Sequence, residues 1–160
     1  MKKLYFFNEK EKCYYYDEAW INGDKIIEHF GKLGTKGCTK AYPLDPAKTE
    51  KKNISLVLQP AAQAGYKEIP QKKLYTLLVE YKVEGFGTPQ DIEKIHKLQD
   101  HMNETLGWTG LGHCDGNSIG SGTMEVCCFV VNFELAKKVI AKSLKGTEFD
   151  GYSRIYDESA

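Results

Sequence analysis

A glycine-rich segment, residues 110–122, contains the most varied set of chemically active side chains in the chain: His113, Cys114, Asp115 and Asn117. Asp115 and Asn117 have the spacing of the first two ligands of a calcium loop, but apolar residues occupy the fifth and twelfth ligand positions. His113 and Cys114 could form a thiol–imidazole pair, yet neighbours on a strand point to opposite faces. A phosphate cradle would need a helix after it, and a strand pattern follows instead. We therefore expect a long hairpin loop, with His113, Asp115 and Asn117 as candidate contacts to a ligand or partner.

The other cysteines and histidines do not have the spacing of a metal site. The five cysteines include no C-x-x-C pair. His96 and His101 are five positions apart, which puts them on different faces of a helix. Cys127 and Cys128 point to opposite sides of a strand and are poor disulfide partners for each other. The sequence thus predicts reduced thiols, no metal, no cofactor and no catalytic residue.

Lysines are the main candidates for binding in the first half of the chain. Lys32, Lys36 and Lys40 recur at four-residue spacing, and such a set can follow a phosphate backbone. Arg154 is the only arginine. Because proteins read base edges mainly with arginine, contact with nucleic acid is expected to be backbone-led and of low sequence specificity.

The elements that must position these lysines are short strands with glycine turns. Residues 13–32 predict a β-hairpin, since alternating side chains flank the turn Asn22-Gly23-Asp24. A glycine-punctuated loop follows, and then a short strand over residues 38–42. Asp45-Pro46 predicts a helix start with Asp45 as the N-cap. Pro60 predicts an interruption of that helix.

The second half predicts strands and helices in the order β-α-β-β-α-β. The strands are expected at residues 75–83, 109–114, 123–133 and 152–156. The helices are expected to begin after caps at Thr88 and Asn132. The apolar stripe of the first helix comprises Ile92, Ile95, Leu98, Met102 and Leu106. This order is that of the ferredoxin-like, or split βαβ, arrangement, in which the first and third strands are central.

A polar junction, Gln71-Lys72-Lys73, separates the two halves and predicts two α+β domains, 1–72 and 73–160. Residues 1–73 contain 14 lysines against 9 acidic residues, a balance of +5. Residues 74–160 contain 8 basic residues against 13 acidic ones, a balance of −5. The opposite charges favour two modules with different partners.

The segment His29-Phe30-Gly31-Lys32-Leu33-Gly34-Thr35-Lys36-Gly37-Cys38-Thr39-Lys40 resembles the Trp-Gly-Arg core of the WGR family. The aromatic run Tyr14–Tyr16 and the downstream Gly65–Glu68 match the same family, so the resemblance covers about residues 1–70. It implies a small antiparallel sheet with one helical segment. In the family, the tryptophan and arginine help to grip nucleic acid; here Phe30 and Lys32 stand in their places. The resemblance therefore makes Phe30, Lys32, Lys36 and Lys40 the candidate nucleic-acid-binding residues.

Together these features predict a binding protein without catalysis, whose WGR-like module contacts a nucleic-acid backbone or a protein partner. The second domain is expected to be regulatory or partner-binding. One alternative is a small enzyme or ligand-binding protein with its site at residues 110–122. Another is an interaction or inhibitor protein that binds no nucleic acid. The short apolar stretch near the N-terminus does not have the length of a signal peptide or a membrane span, which predicts a cytoplasmic protein without membrane contact.

Overall fold

The computed structural model describes residues 1–159. The chain divides into two compact units, Met1–Pro70 and Gln71–Ala160. The boundary predicted after residue 72 falls in a short 3-10 turn, Gln71–Lys73, at the start of the second unit. The described residues form two antiparallel four-stranded sheets and three α-helices, which confirms the mixed α+β class. Within residues 1–159, no helix is long and apolar enough to cross a membrane.

The first unit is a meander of four strands with one helix. Its elements are β1 (Lys2–Asn8), β2 (Cys13–Asn22), β3 (Lys25–Lys32), β4 (Cys38–Pro43) and α1 (Glu50–Gln63). Each strand pairs with the next one along the chain. The hairpin predicted over residues 13–32 is present. The sequence did not predict β1, because its run of four apolar residues lacks the alternation of a half-buried strand.

The turn between β2 and β3 determines which side chains of this hairpin meet. Gly23 has a φ of 63°, a left-handed conformation that glycine adopts at little cost. Asn22 pairs with Lys25 across the turn, and the same register places Glu18 opposite His29. Directly opposed residues of antiparallel strands project from the same face of the sheet. The hairpin turn therefore brings these two polar side chains together.

Helix α1 covers one face of this sheet. Apolar residues of α1 pack against apolar residues of the first three strands to form a core of Ile54, Leu58, Ala61, Leu4, Ala19 and Ile26. The helix begins after Thr49, whose side chain accepts a hydrogen bond from the Lys52 N–H. The prediction of Asp45 as the N-cap is wrong, since its carboxylate accepts a bond from the Ala47 N–H in a preceding turn.

Pro60 lies inside α1 and does not interrupt it, contrary to the prediction. A proline removes one backbone hydrogen bond, which leaves the carbonyl of Leu56 without its helical partner. Leu56 and Pro60 both lie on the exposed side of the helix, within reach of solvent. Only three residues of α1 follow Pro60, so the disturbance affects just the final turn.

The second unit has the element order predicted for it. Its elements are β5 (Tyr75–Lys82), α2 (Pro89–Gly107), β6 (Gly112–Gly120), β7 (Thr123–Val130), α3 (Phe133–Leu144) and β8 (Arg154–Asp157). The strands lie in the order β6-β7-β5-β8, and every neighbouring pair is antiparallel. The first and third strands of the unit are thus central. β7 ends three residues before the predicted position, because Asn132 serves as the N-cap of α3.

The glycine-rich segment forms a strand rather than the predicted long loop. β6 runs to Gly120, and the connection to β7 is the tight turn at Ser121 and Gly122. Asp115 is the extra residue of a β-bulge, since the register with β7 shifts between Cys114 and Gly116. The strand predicted over residues 109–114 overlaps only the start of β6. Glycines hide the apolar–polar alternation of a strand, so the sequence pattern did not indicate that β6 continues to Gly120.

The core of the second unit lies between its sheet and the helices. Four residues of the predicted α2 stripe, Ile95, Leu98, Met102 and Leu106, are fully buried. Ile92 was predicted to join them and does not, since 46% of its surface is exposed. It lies in the first turn of α2, where the Thr88–Asp91 capping box faces solvent. A buried side chain of this size contributes about 1.5–3 kcal/mol to stability. The four buried side chains therefore make α2 a main contributor to the stability of this unit.

Candidate nucleic-acid interface

The loop between β3 and β4, residues 33–37, is hydrogen-bonded to the sheet by two buried side chains and by one backbone N–H. The Tyr16 hydroxyl donates to the Thr35 carbonyl over 2.7 Å. His29 Nε2 lies 2.6 Å from the Lys36 carbonyl oxygen and donates to it, because a carbonyl only accepts. The Leu33 N–H donates to the Tyr14 carbonyl. Three anchors in a five-residue loop fix the path of the backbone that carries Lys36.

His29 connects this loop to a buried carboxylate. Its Nδ1 lies 2.7 Å from Glu18 Oε1, and Lys3 Nζ lies 3.2 Å from the second oxygen of Glu18. The Glu18 carboxyl group therefore lies between the His29 ring and the Lys3 ammonium, while Nε2 of the same ring donates to the loop. His29 and Glu18 are almost completely buried, with 1% and 3% of their surfaces exposed. A buried, hydrogen-bonded pair of Glu18 and His29 thus supports the loop.

Two glycines allow the loop to close tightly on the end of β3. A Cβ on Gly31 would lie 2.7 Å from the Gly37 Cα. A Cβ on Gly37 would collide with the Phe30 carbonyl oxygen, and its φ of 62° disfavours side chains as well. Both glycines belong to the segment that resembles the WGR core. Their positions are required by the close approach of two backbone segments.

The four predicted binding residues lie around the end of β3 and the loop that follows it. Phe30 is half-buried, and Lys40 Nζ lies 5.3 Å from the centre of its ring. Lys32 and Phe30 share a face of β3, because they are two positions apart. Lys36 lies in the loop, and all three lysine side chains are exposed. Among residues 1–159, these three lysines form no ion pair.

Two carboxylates lie on the same face as Phe30. Asp17 pairs with Phe30 across β2 and β3, and Glu28 is two positions before Phe30 on its strand. Burial, followed by the neighbouring carboxylate of Glu28, raises the pKa of Asp17 to about 7, while Lys40 opposes the rise. Glu28 accepts a hydrogen bond from the Tyr42 hydroxyl over 2.8 Å. This face is therefore less positive than its lysines alone would make it.

We expect Asp17→Asn to stabilise the protein at pH 8 relative to the wild type. Asp17 titrates near 3.8 in the unfolded chain and near 7 when folded. Between those values the folded state retains a proton that the unfolded state loses, so stability falls as pH rises through this window. Asp17 is partly exposed, and solvent screening limits the gain to about 1–2 kcal/mol.

Urea denaturation of both proteins at pH 4 and pH 8 measures this effect. The free energy of unfolding of Asp17→Asn should exceed that of the wild type at pH 8, and the difference should be small at pH 4. Asp24→Asn, at an exposed turn position, is the control and should change stability by less than about 0.5 kcal/mol at either pH. An equal effect of Asp17→Asn at both pH values would contradict the assignment.

The second predicted set, His113, Asp115 and Asn117, does not converge on a common site. His113 packs beside the ring of its cross-strand neighbour Phe129, with ring centres 5.8 Å apart. Asn117 lies on the opposite face, where its side-chain amide donates to Gln99 of α2. Asp115 occupies the bulge between them and is exposed. The three side chains could not contact one small ligand together.

The cluster of Tyr16, Glu18 and His29 was not identified from the sequence. The predicted turn at Gly23 already implies that Glu18 faces His29, so counting back from the turn would have found that pair. The contacts of Tyr16 and His29 with the loop depend on how residues 33–37 fold back, which no pattern indicates.

No protein-family model, curated protein or solved structure matches the chain. Within residues 1–159, no group of three or more His, Cys, Asp or Glu side chains could hold a metal ion.

Proposed function

We propose that the first unit is a WGR-like, non-catalytic module that holds a nucleic-acid backbone against Phe30, Lys32, Lys36 and Lys40. The observation that carries the proposal is the position of these lysines around a loop that Tyr16 and His29 hold in place. Lys3, Lys12 and Lys48 of this unit are paired with carboxylates. Within residues 1–159, the three lysines around the loop form no ion pair, as is true of most lysines of the unit, and their exposed ammonium groups are available to phosphates.

The rigidity of the loop supports this proposal. A binding surface that is already ordered loses less conformational entropy when it meets its partner. The contacts of Tyr16 and His29 hold the loop backbone at Thr35 and Lys36, and the close approach of Gly31 and Gly37 restricts its ends. These residues lie in or beneath the WGR-like segment, so the role proposed for that segment is to keep the loop ordered before it binds.

Phe30 and the charge balance indicate the kind of contact. The ring of Phe30 is partly exposed and can pack against a sugar or an unstacked base. Residues 1–70 contain 12 lysines against 9 acidic residues, a balance of +3. With a modest charge, carboxylates near Phe30 and no arginine in the unit, we expect weak binding to the backbone with little sequence preference.

We also propose that the second unit has the ferredoxin-like architecture and serves a regulatory or partner-binding role. The element order β-α-β-β-α-β and the sheet order β6-β7-β5-β8 support the architecture, since they make the first and third strands central. The dispersal of His113, Asp115 and Asn117 weighs against the alternative of a small-molecule site at residues 110–122.

Fluorescence anisotropy of a labelled DNA duplex, titrated with the full chain, tests the nucleic-acid proposal. Lys32→Glu and Lys36→Glu should each weaken binding about five- to tenfold at low salt, because each replaces an attraction to phosphate with a repulsion. The logarithm of the wild-type affinity should fall with the logarithm of salt concentration with a slope of about −3, as expected for three phosphate contacts.

Lys25→Glu is the matched control. Lys25 is an exposed lysine at the opposite end of β3, and its reversal changes the net charge by the same amount. It should weaken binding less than about twofold. Equal effects of all three variants would indicate a general charge effect and no defined surface. Absence of binding by the wild type at low salt would reject the proposal and favour a protein partner.

A further inference from the structure

Cys114 and Cys128 form a close cross-strand pair in the second unit. They are directly opposite each other on β6 and β7. Their sulfur atoms are 2.8 Å apart, closer than ordinary contact between sulfurs that are not bonded. A disulfide needs an S–S distance of about 2.05 Å and Cα atoms about 4.4–6.8 Å apart. Directly opposed residues on antiparallel strands meet the Cα requirement.

The two thiols differ in exposure in the way that a stepwise oxidation requires. Cys114 is half-buried on the edge strand and can meet a small oxidant, whereas Cys128 is fully buried. The hydrogen bond with Cys114, followed by burial, raises the pKa of Cys128. The two sulfur atoms lie within hydrogen-bond distance, and either thiol can be the donor. Cys127, its chain neighbour, projects from the other face of the sheet.

We propose that Cys114 and Cys128 form a reversible disulfide when the protein meets a peroxide. The Cys114 sulfur loses its proton and attacks one peroxide oxygen, the O–O bond breaks, and the leaving hydroxide takes up that proton to form one water, so that Cys114 becomes a sulfenic acid. The Cys128 sulfur then loses its proton and attacks the Cys114 sulfur, the S–O bond breaks, and the leaving hydroxide takes up that proton to form a second water. Two thiols are oxidised, one peroxide is reduced, and a thiol reductant reverses the bond.

The bond would tie the edge strand β6 covalently to the central strand β7. It would close a loop of about 15 residues, which restricts the unfolded chain and stabilises the folded one. For a unit of this size, the midpoint of thermal unfolding should rise by at least about 5 °C on oxidation.

Peptide mass spectrometry of the full chain after hydrogen peroxide treatment tests the pairing. Remaining thiols are alkylated, and the protein is cut after glutamate without reduction. Cleavage at Glu125 separates Cys114 from the other two cysteines of the unit, so a disulfide appears as two linked peptides, residues 105–125 and 126–134. The linked mass should be lower by two hydrogen atoms than the sum of the reduced peptides and should disappear on reduction.

Cys127→Ser is the matched control, because it removes the adjacent thiol on the other face. The linked peptides and the rise in midpoint should persist in Cys127→Ser and be absent from Cys114→Ser and Cys128→Ala. If Cys128→Ala does not fold, Cys114→Ser alone must abolish both effects. The proposal is overturned if the wild type keeps free thiols after peroxide treatment, or if the link survives Cys128→Ala or is lost in Cys127→Ser.

Discussion

His29→Ala is expected to lower the free energy of unfolding of the first unit by about 3–5 kcal/mol. The substitution leaves the buried carboxylate of Glu18 without its closest partner, which lies 2.7 Å away in the folded chain. It also removes the donor to the Lys36 carbonyl and opens a cavity at a site that is 1% exposed. Small units are stable by only a few kcal/mol, so a large unfolded fraction is expected at room temperature.

The measurement can be confined to the first unit, because each unit contains a single tryptophan. In a Trp108→Phe background, urea denaturation followed by fluorescence reports on Trp20, whose ring centre is 6.3 Å from that of His29. Lys25→Ala, an exposed position in the same unit, is the control and should change stability by less than about 0.5 kcal/mol. A loss below about 1 kcal/mol in His29→Ala would show that the buried pair does not support the fold.

Gly37→Ala is expected to destabilise the first unit by about 3–4 kcal/mol, and Gly23→Ala by only about 1 kcal/mol. The two glycines have nearly the same φ, 62° and 63°, so the backbone strain of a side chain is equal at both sites. They differ in their surroundings. A methyl group at Gly23 meets nothing within 4 Å, whereas at Gly37 it collides with the Phe30 carbonyl and crowds the Tyr16 hydroxyl.

The same Trp20 fluorescence measurement compares the two alanine variants. Because the backbone strain is the same at both sites, the difference between the two free energies of unfolding measures the cost of moving the loop away from the end of β3. In the DNA titration proposed above, folded Gly37→Ala should also bind more weakly than Gly23→Ala, because the loop carrying Lys36 would be displaced. Equal losses of stability in the two variants would mean that the backbone segments at Gly31 and Gly37 can move apart without an energetic cost.

Local patterns were sufficient to predict most of the architecture. The turn at Gly23 and the capping box at Thr88 predicted a hairpin and a long helix that the structure contains. Those signals arise from residues close together in the chain, where φ preferences and capping bonds act directly. The four-residue spacing of the candidate lysines also predicted that they lie near one another, because their positions depend on a single hairpin and loop.

Features that depend on distant partners could not be read in this way. β6 is a strand because β7 supplies its hydrogen bonds, although its own glycines suggested a loop. His113 and Asn117 were grouped by sequence proximity, and the strand then separated them onto opposite faces. Pro60 was predicted to break a helix, but at an exposed position near the helix end the lost bond has little consequence.

The bulge at Asp115 also bears on how the second unit avoids self-association. β6 is nine residues long and lies at the edge of its sheet, where another chain could add a strand. A bulge increases the local twist and breaks the regular spacing of the outward N–H and C=O groups. The extra residue is an exposed aspartate, which would face the same aspartate of a second copy if two β6 strands paired antiparallel about the bulge. Replacing that acid would remove a barrier against polymerisation while leaving the core of the unit untouched.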